Sequence, residues 1–337
     1  GDRMKALVTG GCGFIGSHLV KQLVDQGARV TVVDDLSSGD LNNLFQKKVT
    51  IRPVIPGLIE HLFEKAELKN DEVVVVTGDF VDPEFLAHFV QSDYTHVFHL
   101  AAQPRVEFCV EHPATTTETN LMKTVELLSA CRKSKVEKFV FASSSAVYGD
   151  VKSMPTHESQ PTEPQSPYGL QKLCCELFMK QFSNLYEIDT VALRFFNVYG
   201  PGCTGDNPYA TAIAAWCDKL KSGKPLRSDG DGEQTRDMVF VTDVADALVA
   251  AAKSDISGFS CYNVATGFSI SNNSVLKMLS ELVGNFDVVH APERKGDVKH
   301  TLASIDKINT ELSFLPAHSF KAGLVKTLRW WNLIDDE

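Results

Sequence analysis

The sequence of 337 residues predicts an α/β fold in which helices cover both faces of a parallel sheet. Three observations support this prediction: short apolar runs alternate with helical patterns, a glycine-rich turn follows the first run, and a carboxylate ends the second. The composition is that of a globular protein, with 43% hydrophobic and 23% charged residues. A formal net charge of −10 argues against bulk attraction to nucleic acid or to an anionic membrane.

Strand-like and helix-like segments alternate along the first two hundred residues. Short, apolar, β-branched runs predict strands at residues 6–9, 29–34, 73–77, 97–100, 138–143 and 190–195. The stretches between them predict helices at residues 13–26, 83–91, 117–134 and 168–186. This alternation is typical of a doubly wound sheet. Residues 43–72 make a long link between neighbouring strands, and residues 57–68 within it match a helical pattern.

The first predicted strand runs directly into a glycine-rich turn that precedes a helix. Glycines allow the tight turn and let a pyrophosphate approach the backbone, while the helix start offers free N–H groups and the positive end of its dipole. Glycines alone could serve only to make a tight turn. The strand before and the helix after them favour a Rossmann-like dinucleotide site built from Gly10, Gly13, Phe14, Ile15 and Gly16.

The second predicted strand ends in Asp34, at the distance from the glycines expected of a ribose-binding carboxylate. Such a group accepts hydrogen bonds from the adenosine ribose and repels the 2′-phosphate of NADP, so the predicted cofactor is NAD. Asp35, Ser38 and Gly39 follow in a turn suited to wrap the ribose. Asp79 and Phe80 follow the third predicted strand, where a carboxylate could meet the adenine amine.

Tyr168 and Lys172 lie four residues apart at the start of a predicted helix, which places both side chains on one face. A tyrosine has an ordinary pKa of about 10, and a nearby ammonium lowers it toward the range of a general base. A serine from the triplet Ser143, Ser144 and Ser145 lies at the carboxyl end of a predicted strand, where open α/β sheets bind their ligands. A Tyr-x-x-x-Lys pair is common by chance on helices, and it gains weight here from the serine and the glycine turn.

Together these features resemble the extended short-chain dehydrogenase/reductase family, and within it the nucleotide-sugar epimerases. The resemblance spans nearly the whole chain and rests on residues 9–16, 34–39, 99–103, 143–149, 168–172, 194–197 and 232–237. It implies further cofactor contacts from Leu100, Ala101, Ala102 and Gln103.

The resemblance also implies a mechanism. Tyr168, aided by Ser144, removes the proton from the sugar 4-hydroxyl, and Lys172 holds the nicotinamide ribose. Hydride passes from C4 to NAD, the bound 4-keto sugar turns within the site, and hydride returns to the opposite face. The cofactor is regenerated and is expected to stay bound.

Two positions after Ser144 separate 4-epimerisation from related reactions. Similar 4,6-dehydratases carry an acid–base Asp-Glu pair there, and similar decarboxylases carry a glutamate at the second position. This sequence has Ser145 and Ala146, neither of which can transfer a proton at C5 or C6. The resemblance therefore favours a 4-epimerase over a dehydratase, a decarboxylase or another net oxidoreductase. A non-catalytic NAD-binding or scaffold protein ranks third, because Ser144, Tyr168 and Lys172 are intact.

The resemblance assigns substrate contacts to residues beyond 195. Asn197, Arg236 and Arg294 match positions that hold the nucleotide diphosphate, for which the fork of arginine is suited. Asp297 matches a carboxylate that meets the nucleotide ribose. Thr301 matches the residue that bounds the hexose pocket, where small side chains admit N-acetyl sugars. The resemblance therefore favours UDP-GlcNAc and UDP-GalNAc as substrates, with UDP-Glc and UDP-Gal as an additional or alternative pair. A shift of one residue in the match would bring His300 or Leu302 to that position instead.

Domain organisation, partners and location follow from the same observations. Residues 4–200 are expected to bind NAD and to carry the catalytic residues, and residues 201–337 to form mainly a smaller substrate lobe, without a sharp boundary. The resemblance implies a homodimer packed through the predicted helices 117–134 and 168–186. No metal is expected. No apolar run approaches the ~20 residues that span a bilayer. The eight cysteines form neither a zinc pattern nor a disulfide framework, which favours reduced thiols, so the chain is expected to be cytoplasmic.

Overall fold

The computed structural model describes residues 3–54, 72–205 and 211–336. Its strands are β1 (Lys5–Thr9), β2 (Arg29–Asp34), β3 (Thr50–Val54), β4 (Glu72–Thr77), β5 (His96–His99), β6 (Lys138–Ser144), β7 (Asp189–Phe195), β8 (Asn197–Tyr199), β9 (Leu226–Asp229), β10 (Thr235–Arg236), β11 (Met238–Phe240), β12 (Phe259–Val264), β13 (Ile270–Ser271) and β14 (Val288–Ala291).

The helices are α1 (Phe14–Asp25), α2 (Asn42–Phe45), α3 (Pro83–Gln91), α4 (Val106–Glu111), α5 (Pro113–Thr117), α6 (Lys123–Arg132), α7 (Pro167–Tyr186), α8 (Ala212–Ser222), α9 (Val241–Lys253), α10 (Asn272–Val283), α11 (Asp306–Leu312) and α12 (Phe320–Trp330). A π-helical turn, Glu118–Met122, joins α5 to α6, and a 3-10 turn, Ser145–Tyr148, follows β6.

Among the described residues, eight strands form the main sheet in the order β12-β7-β6-β5-β1-β2-β4-β3. The strands from β6 through β5, β1, β2 and β4 to β3 pair in parallel, so their carboxyl ends share one edge. The strand order reverses at β1, which lies between β2 and β5, and ligands of open α/β sheets bind at such a switch point. The predicted fold class is confirmed.

Apolar side chains explain why these segments pack as they do. Near-continuous hydrophobic strands are typical of parallel sheets buried on both faces. Phe85 of α3, Leu127 of α6 and Met179 of α7 pack in one buried cluster with Val97 and Phe139 of the sheet. Helix α1 contributes its own buried row on β1 and β2, formed by Leu19, Val20 and Leu23.

The link between β2 and β4 contains a strand that the sequence analysis missed. Residues 50–54 pair in parallel with β4 and form the edge of the sheet. Proline lacks an N–H donor and is tolerated at sheet edges, and Pro53 in this run hid the strand pattern. The helix predicted at residues 57–68 lies outside the described residues. The helix predicted at 117–134 instead begins at Pro113 and contains the π-helical turn.

The chain divides into two compact units, each built from separate segments. Unit 1 comprises Gly1–Gly149, Pro161–Arg194 and Ala245–Tyr262, and unit 2 comprises Asp150–Gln160, Phe195–Val244 and Asn263–Glu337. This differs from a boundary near residue 200, because residues 245–262 return to the sheet through α9 and β12. The assignment of functions to two domains stays a prediction. Among residues 3–54, 72–205 and 211–336, no helix combines the length and apolar character needed to cross a bilayer.

Candidate active site

The glycine turn of unit 1 forms a close-packed cradle at the end of β1. Gly10 has a φ of +72°, and a Cβ there would lie 2.9 Å from the backbone nitrogen of Ala101. A Cβ on Gly16 would lie 2.1 Å from the carbonyl oxygen of Gly10. Gly13 is the N-cap residue of α1 and provides no side-chain cap. The N–H groups of the first turn, including those of Phe14 and Ile15, have no acceptor within the helix and can donate to an anion. This cradle fits the pyrophosphate of a dinucleotide.

Asp34 ties the end of β2 to this turn. One carboxylate oxygen accepts from the Cys12 N–H at 3.0 Å and the other from the Leu36 N–H at 2.9 Å. Burial raises the pKa of Asp34, and the two backbone donors oppose that rise. Each oxygen retains a lone pair, so the fixed carboxylate can also accept from ribose hydroxyls. The predicted residues Asp35, Ser38 and Gly39 follow in the adjoining loop, where Asp35 and Ser38 are exposed.

The predicted adenine-binding carboxylate, Asp79, has a partner that the sequence analysis missed. Its Oδ2 lies 2.7 Å from the Nζ of Lys123, and its Oδ1 accepts from the Val81 N–H at 3.1 Å. Both side chains of the ion pair are partly exposed. Phe80 is buried in the apolar core cluster, with its ring 4.8 Å from that of His99, so its side chain anchors the loop to the core.

The end of β5 is held by the hydroxyl of Thr9. Its Oγ1 accepts from the N–H groups of Leu100 at 3.0 Å and Ala101 at 3.1 Å, and lies 2.6 Å from the Nδ1 of His99. Burial, aided by the charge of Lys172, lowers the pKa of His99 to about 3, so this imidazole is neutral. The predicted segment Leu100–Gln103 therefore starts from a fixed point beside the glycine turn. Ala102 within it is partly buried.

Asn120 is a second residue that the sequence analysis missed. Its Oδ1 accepts from the Gln103 N–H at 2.7 Å, and its Nδ2 donates to the carbonyl oxygen of Gln103 at 3.0 Å and to the Oε1 of Gln171 at 2.8 Å. It is buried in the π-helical turn, which carries the amide toward these partners. A polar residue at a buried helix position was the available signal, since such groups are almost always hydrogen-bonded.

The three predicted catalytic residues all belong to unit 1. Ser144 ends β6, and its Oγ caps the 3-10 turn by accepting from the Ala146 N–H at 3.1 Å. Ser166 caps α7 in the same way, and Tyr168 follows in the first turn, buried. Lys172, one turn later, is also buried, and its Nζ donates to the carbonyl oxygen of Ala142 at 2.8 Å.

Burial lowers the pKa of Lys172 to about 8, although neighbouring Cys175, Cys109 and Glu176 oppose the shift. The ammonium lies 5.7 Å from the centre of the Tyr168 ring. A buried cation at this distance favours the phenolate of a tyrosine. The arrangement therefore supplies an acid–base group with a positive charge beside it.

In unit 2, Asn197 and Thr301 form one hydrogen-bonded group with a residue that the sequence analysis did not assign, Asp237. The Oγ1 of Thr301 accepts from the Asn197 Nδ2 at 3.2 Å and from the Asp237 N–H at 3.0 Å. The buried carboxylate of Asp237 accepts from the N–H groups of Thr266, Gly267 and Ala303. Asp237 thus links the loop at residues 266–267 to the segment that carries Thr301 and Ala303.

The two predicted diphosphate-binding arginines differ in their surroundings. The Nη1 of Arg236 donates to the carbonyl oxygens of Thr235 at 2.7 Å and Lys299 at 3.2 Å. Burial lowers the pKa of Arg236, and the nearby Asp297 opposes that shift. The Nε of Arg294 lies 3.2 Å from Asp229, a partner not foreseen from the sequence, and 59% of the Arg294 side chain is exposed. Asp297 is exposed as well.

The model of the NAD dependent epimerase/dehydratase family matches residues 6–265. The chain belongs to this family. A UDP-glucose 4-epimerase of Mycolicibacterium smegmatis is 32% identical over 98% of this chain and 99% of its own length. These results confirm the family and the NAD cofactor predicted from the sequence.

Solved structures agree. The UDP-N-acetylglucosamine 4-epimerase of Methanobrevibacter ruminantium, in complex with UDP-N-acetylmuramic acid, is 35% identical, with a TM-score of 0.86 over 98% of this chain and 99% of that one. The UDP-glucose 4-epimerase of Thermotoga maritima, with UDP-glucose, is 33% identical, with a TM-score of 0.84 over 98% and 99%. The relatives favour an epimerase over a dehydratase.

Proposed function

We propose that this protein is an NAD-dependent isomerase that inverts C4 of a UDP-hexose, with UDP-GlcNAc/UDP-GalNAc and/or UDP-Glc/UDP-Gal as its substrate pairs. The observation that carries the proposal is the buried pair Tyr168 and Lys172 in the same unit as the NAD cradle, with Ser144 at the adjoining strand end. The turn after Ser144 offers Ser145 and Ala146, and neither supplies the acid–base carboxylate that dehydration needs.

The catalytic residues have separate tasks in this proposal. Tyr168 takes the proton of the sugar 4-hydroxyl and later returns it, and Ser144 orients that hydroxyl with its Oγ. Lys172 keeps a positive charge near the tyrosine ring and holds the nicotinamide ribose. Bound NAD would supply an acceptor for the hydride of C4 and, once reduced, the donor that returns it. The product has the same mass as the substrate because the hydride removed from C4 and the proton removed from the 4-hydroxyl are both returned.

Unit 2 supplies the groups proposed to hold the nucleotide. Arg236 and Arg294, with Asn197, bind the diphosphate, and Asp297 meets the ribose of the nucleotide. Arginine forks suit phosphate oxygens, and Arg294 can leave its exposed pairing with Asp229 at little cost. Thr301 bounds the hexose pocket, and its small side chain leaves room for an N-acetyl group at C2.

A homodimer in the cytoplasm is part of the proposal. Helix α7 buries one face, yet Leu170, Leu177 and Leu185 are exposed at 52, 56 and 64% on a stripe with a spacing of seven and eight residues. An apolar stripe opposite a buried face is typical of a helix that packs against a second partner.

Leu177→Lys should give a monomer by light scattering. Leu315→Lys, at an exposed leucine of unit 2, is the matched control and should leave the dimer intact.

Product analysis tests the proposal directly. Purified protein is incubated with UDP-glucose or UDP-GlcNAc and NAD, and the sugars are followed by proton NMR and mass spectrometry. We expect the matching galacto sugar at unchanged mass, and no product with Tyr168→Phe. Loss of water or carbon dioxide from a wider panel of nucleotide sugars would instead indicate a dehydratase or decarboxylase. Inertness toward the whole panel would indicate a protein that only binds NAD.

A further inference from the structure

Helix α7 is fastened to the end of β6 by two successive turns. Tyr168, Lys172 and Glu176 lie four residues apart and form one row on the buried face of the helix. The Nζ of Lys172 donates to the carbonyl oxygen of Ala142 at 2.8 Å, and the Oγ of Ser143 donates to the Oε2 of Glu176 at 2.5 Å. Ser144 follows Ala142 and Ser143 directly on β6.

Glu176 is itself held from the next strand. The Nη2 of Arg194 on β7 lies 2.7 Å from its Oε1, and the Nε lies 3.2 Å from both carboxylate oxygens. Both side chains are buried, and the Nη1 of Arg194 has no hydrogen-bond partner among the described residues. The guanidinium lies 4.9 Å from the centre of the Tyr148 ring. A buried ion pair usually adds little stability over apolar residues of the same size. The main effect of this pair is therefore to hold the Glu176 carboxylate in one position.

We infer that Glu176, fixed by Arg194, is a positioning residue that sets the register of α7 on β6. It thereby sets where Tyr168 and Lys172 lie relative to Ser144. The inference rests on the proposed function, which gives these three residues their catalytic tasks. Glu176 acts through Ser143 and through the helix, and no contact with NAD or sugar is assigned to it.

The charge of Glu176 adds a second, independent consequence. Several groups face the Lys172 ammonium: Cys175 and Glu176 from its own helix, Cys109 from α4, neutral His99 from β5, and the rings of Tyr168 and Phe141. Burial raises the pKa of Cys175 to about 12, so that thiol is neutral at physiological pH. Glu176 is the carboxylate in this group, and it supports the charged form of Lys172.

Three variants separate positioning from mere stability. Ser143→Ala removes the bond to Glu176 and keeps the ion pair. Glu176→Gln keeps the bond and removes the charge. Ser183→Ala is the matched control, because the Oγ of Ser183 bridges α7 to Thr190 on β7 at 2.8 Å, two turns beyond Glu176. The measurements are kcat and KM with NAD saturating, the pH profile of kcat, the melting temperature, and the Kd of NAD on nucleotide-free protein.

Ser143→Ala should lower kcat about tenfold, leave KM for the sugar within about twofold, and weaken NAD binding, because misplacement of reacting groups acts mainly on kcat. Ser183→Ala should lower the melting temperature by a similar amount and keep kcat and the Kd within about twofold of the wild type. Glu176→Gln should move the alkaline limb of the pH profile to lower pH, because Lys172 loses a neighbour that supports its charge.

Equal kcat and equal NAD affinity in Ser143→Ala and Ser183→Ala would overturn the inference, as would an unmoved alkaline limb in Glu176→Gln. If Glu176→Gln fails to fold, Ser143→Ala still decides, because it leaves the ion pair in place. The measurement of the Kd of NAD requires no sugar substrate. A wild-type protein that binds NAD but converts no sugar would refute the proposed function, whereas the difference in NAD affinity between the two serine variants would still decide the inference.

Discussion

Replacing Lys172 with methionine should make the protein more stable while it abolishes catalysis. Burial lowers the pKa of Lys172 from 10.5 to about 8, so holding its charge inside the folded protein costs about 3 kcal/mol at pH 7. Methionine fills a similar volume without charge. It loses the hydrogen bond to the Ala142 carbonyl oxygen, which is worth about 1 kcal/mol. The free energy of unfolding should therefore rise by about 2 kcal/mol at pH 7.

The sign of the pH dependence follows from proton binding. Between pH 8 and 10.5 the unfolded lysine still binds a proton that the folded one has released, so the wild type gains stability over the variant as pH rises through this window. The advantage of Lys172→Met should be nearly gone at pH 10. Below pH 8 both states of the wild type are protonated, and the difference should be constant.

Urea denaturation followed by tryptophan fluorescence measures this difference on nucleotide-free protein at pH 7 and pH 10. Lys180→Met is the matched control, because Lys180 lies on the same helix and is exposed, and it should change stability by less than about 0.5 kcal/mol. A Lys172→Met variant less stable than the wild type at pH 7, or a difference equal at both pH values, would refute the account of a buried ammonium.

Three further predictions concern the ligands. Gly16→Ala should abolish NAD retention in the purified protein, because its Cβ would lie 2.1 Å from the Gly10 carbonyl oxygen, and retained nucleotide is measured by absorbance after denaturation. Lys123→Ala should weaken the preference for NAD over its hypoxanthine analogue, which lacks the 6-amino group, because Asp79 loses the ion pair that orients it; equal ratios of Kd would contradict this. Thr301→Tyr should lower kcat/KM for UDP-GlcNAc more than for UDP-glucose, whereas Thr301→Ser, which keeps the hydroxyl, should preserve the ratio.

The parts of the fold that could be predicted from the sequence depend on local patterns. The segments that form β1, β2, β4, β5, β6 and β7 are apolar and rich in β-branched residues. This local pattern is enough to predict buried strands of a parallel sheet without knowledge of their partners. The glycine turn was recognisable because the packing around Gly10 and Gly16 leaves no room for a side chain. The four-residue spacing of Tyr168 and Lys172 is by itself sufficient to predict that they share one helix face.

The parts that could not be predicted depend on distant partners. Asn120 serves Gln103 and Gln171, which are 17 and 51 residues away, and no local pattern identifies either. Asp237 was visible as a member of a motif, but its role in holding Ala303 across 66 residues was not. The edge strand at residues 50–54 depends on pairing with β4, which local propensity cannot supply.

The pairing of the arginines was also beyond the sequence. Arg294 lies against Asp229, 65 positions earlier in the chain, and Arg236 is held by carbonyl oxygens of its own surroundings. The local sequence around an arginine does not indicate which carboxylate will be its ion-pair partner. The same is true of Glu176, whose place in the Tyr168 row is evident from spacing, while its bond to Ser143 is not.

The central claim is that one carbon of a UDP-hexose is inverted by removal and return of its own hydrogen within the site. UDP-glucose labelled with deuterium at C4 tests it most directly, with the product examined by proton NMR and mass spectrometry after incubation in ordinary water. The account predicts UDP-galactose that retains the deuterium at C4. Formation of UDP-galactose with hydrogen from the solvent at C4, or no formation of UDP-galactose at all, would contradict it.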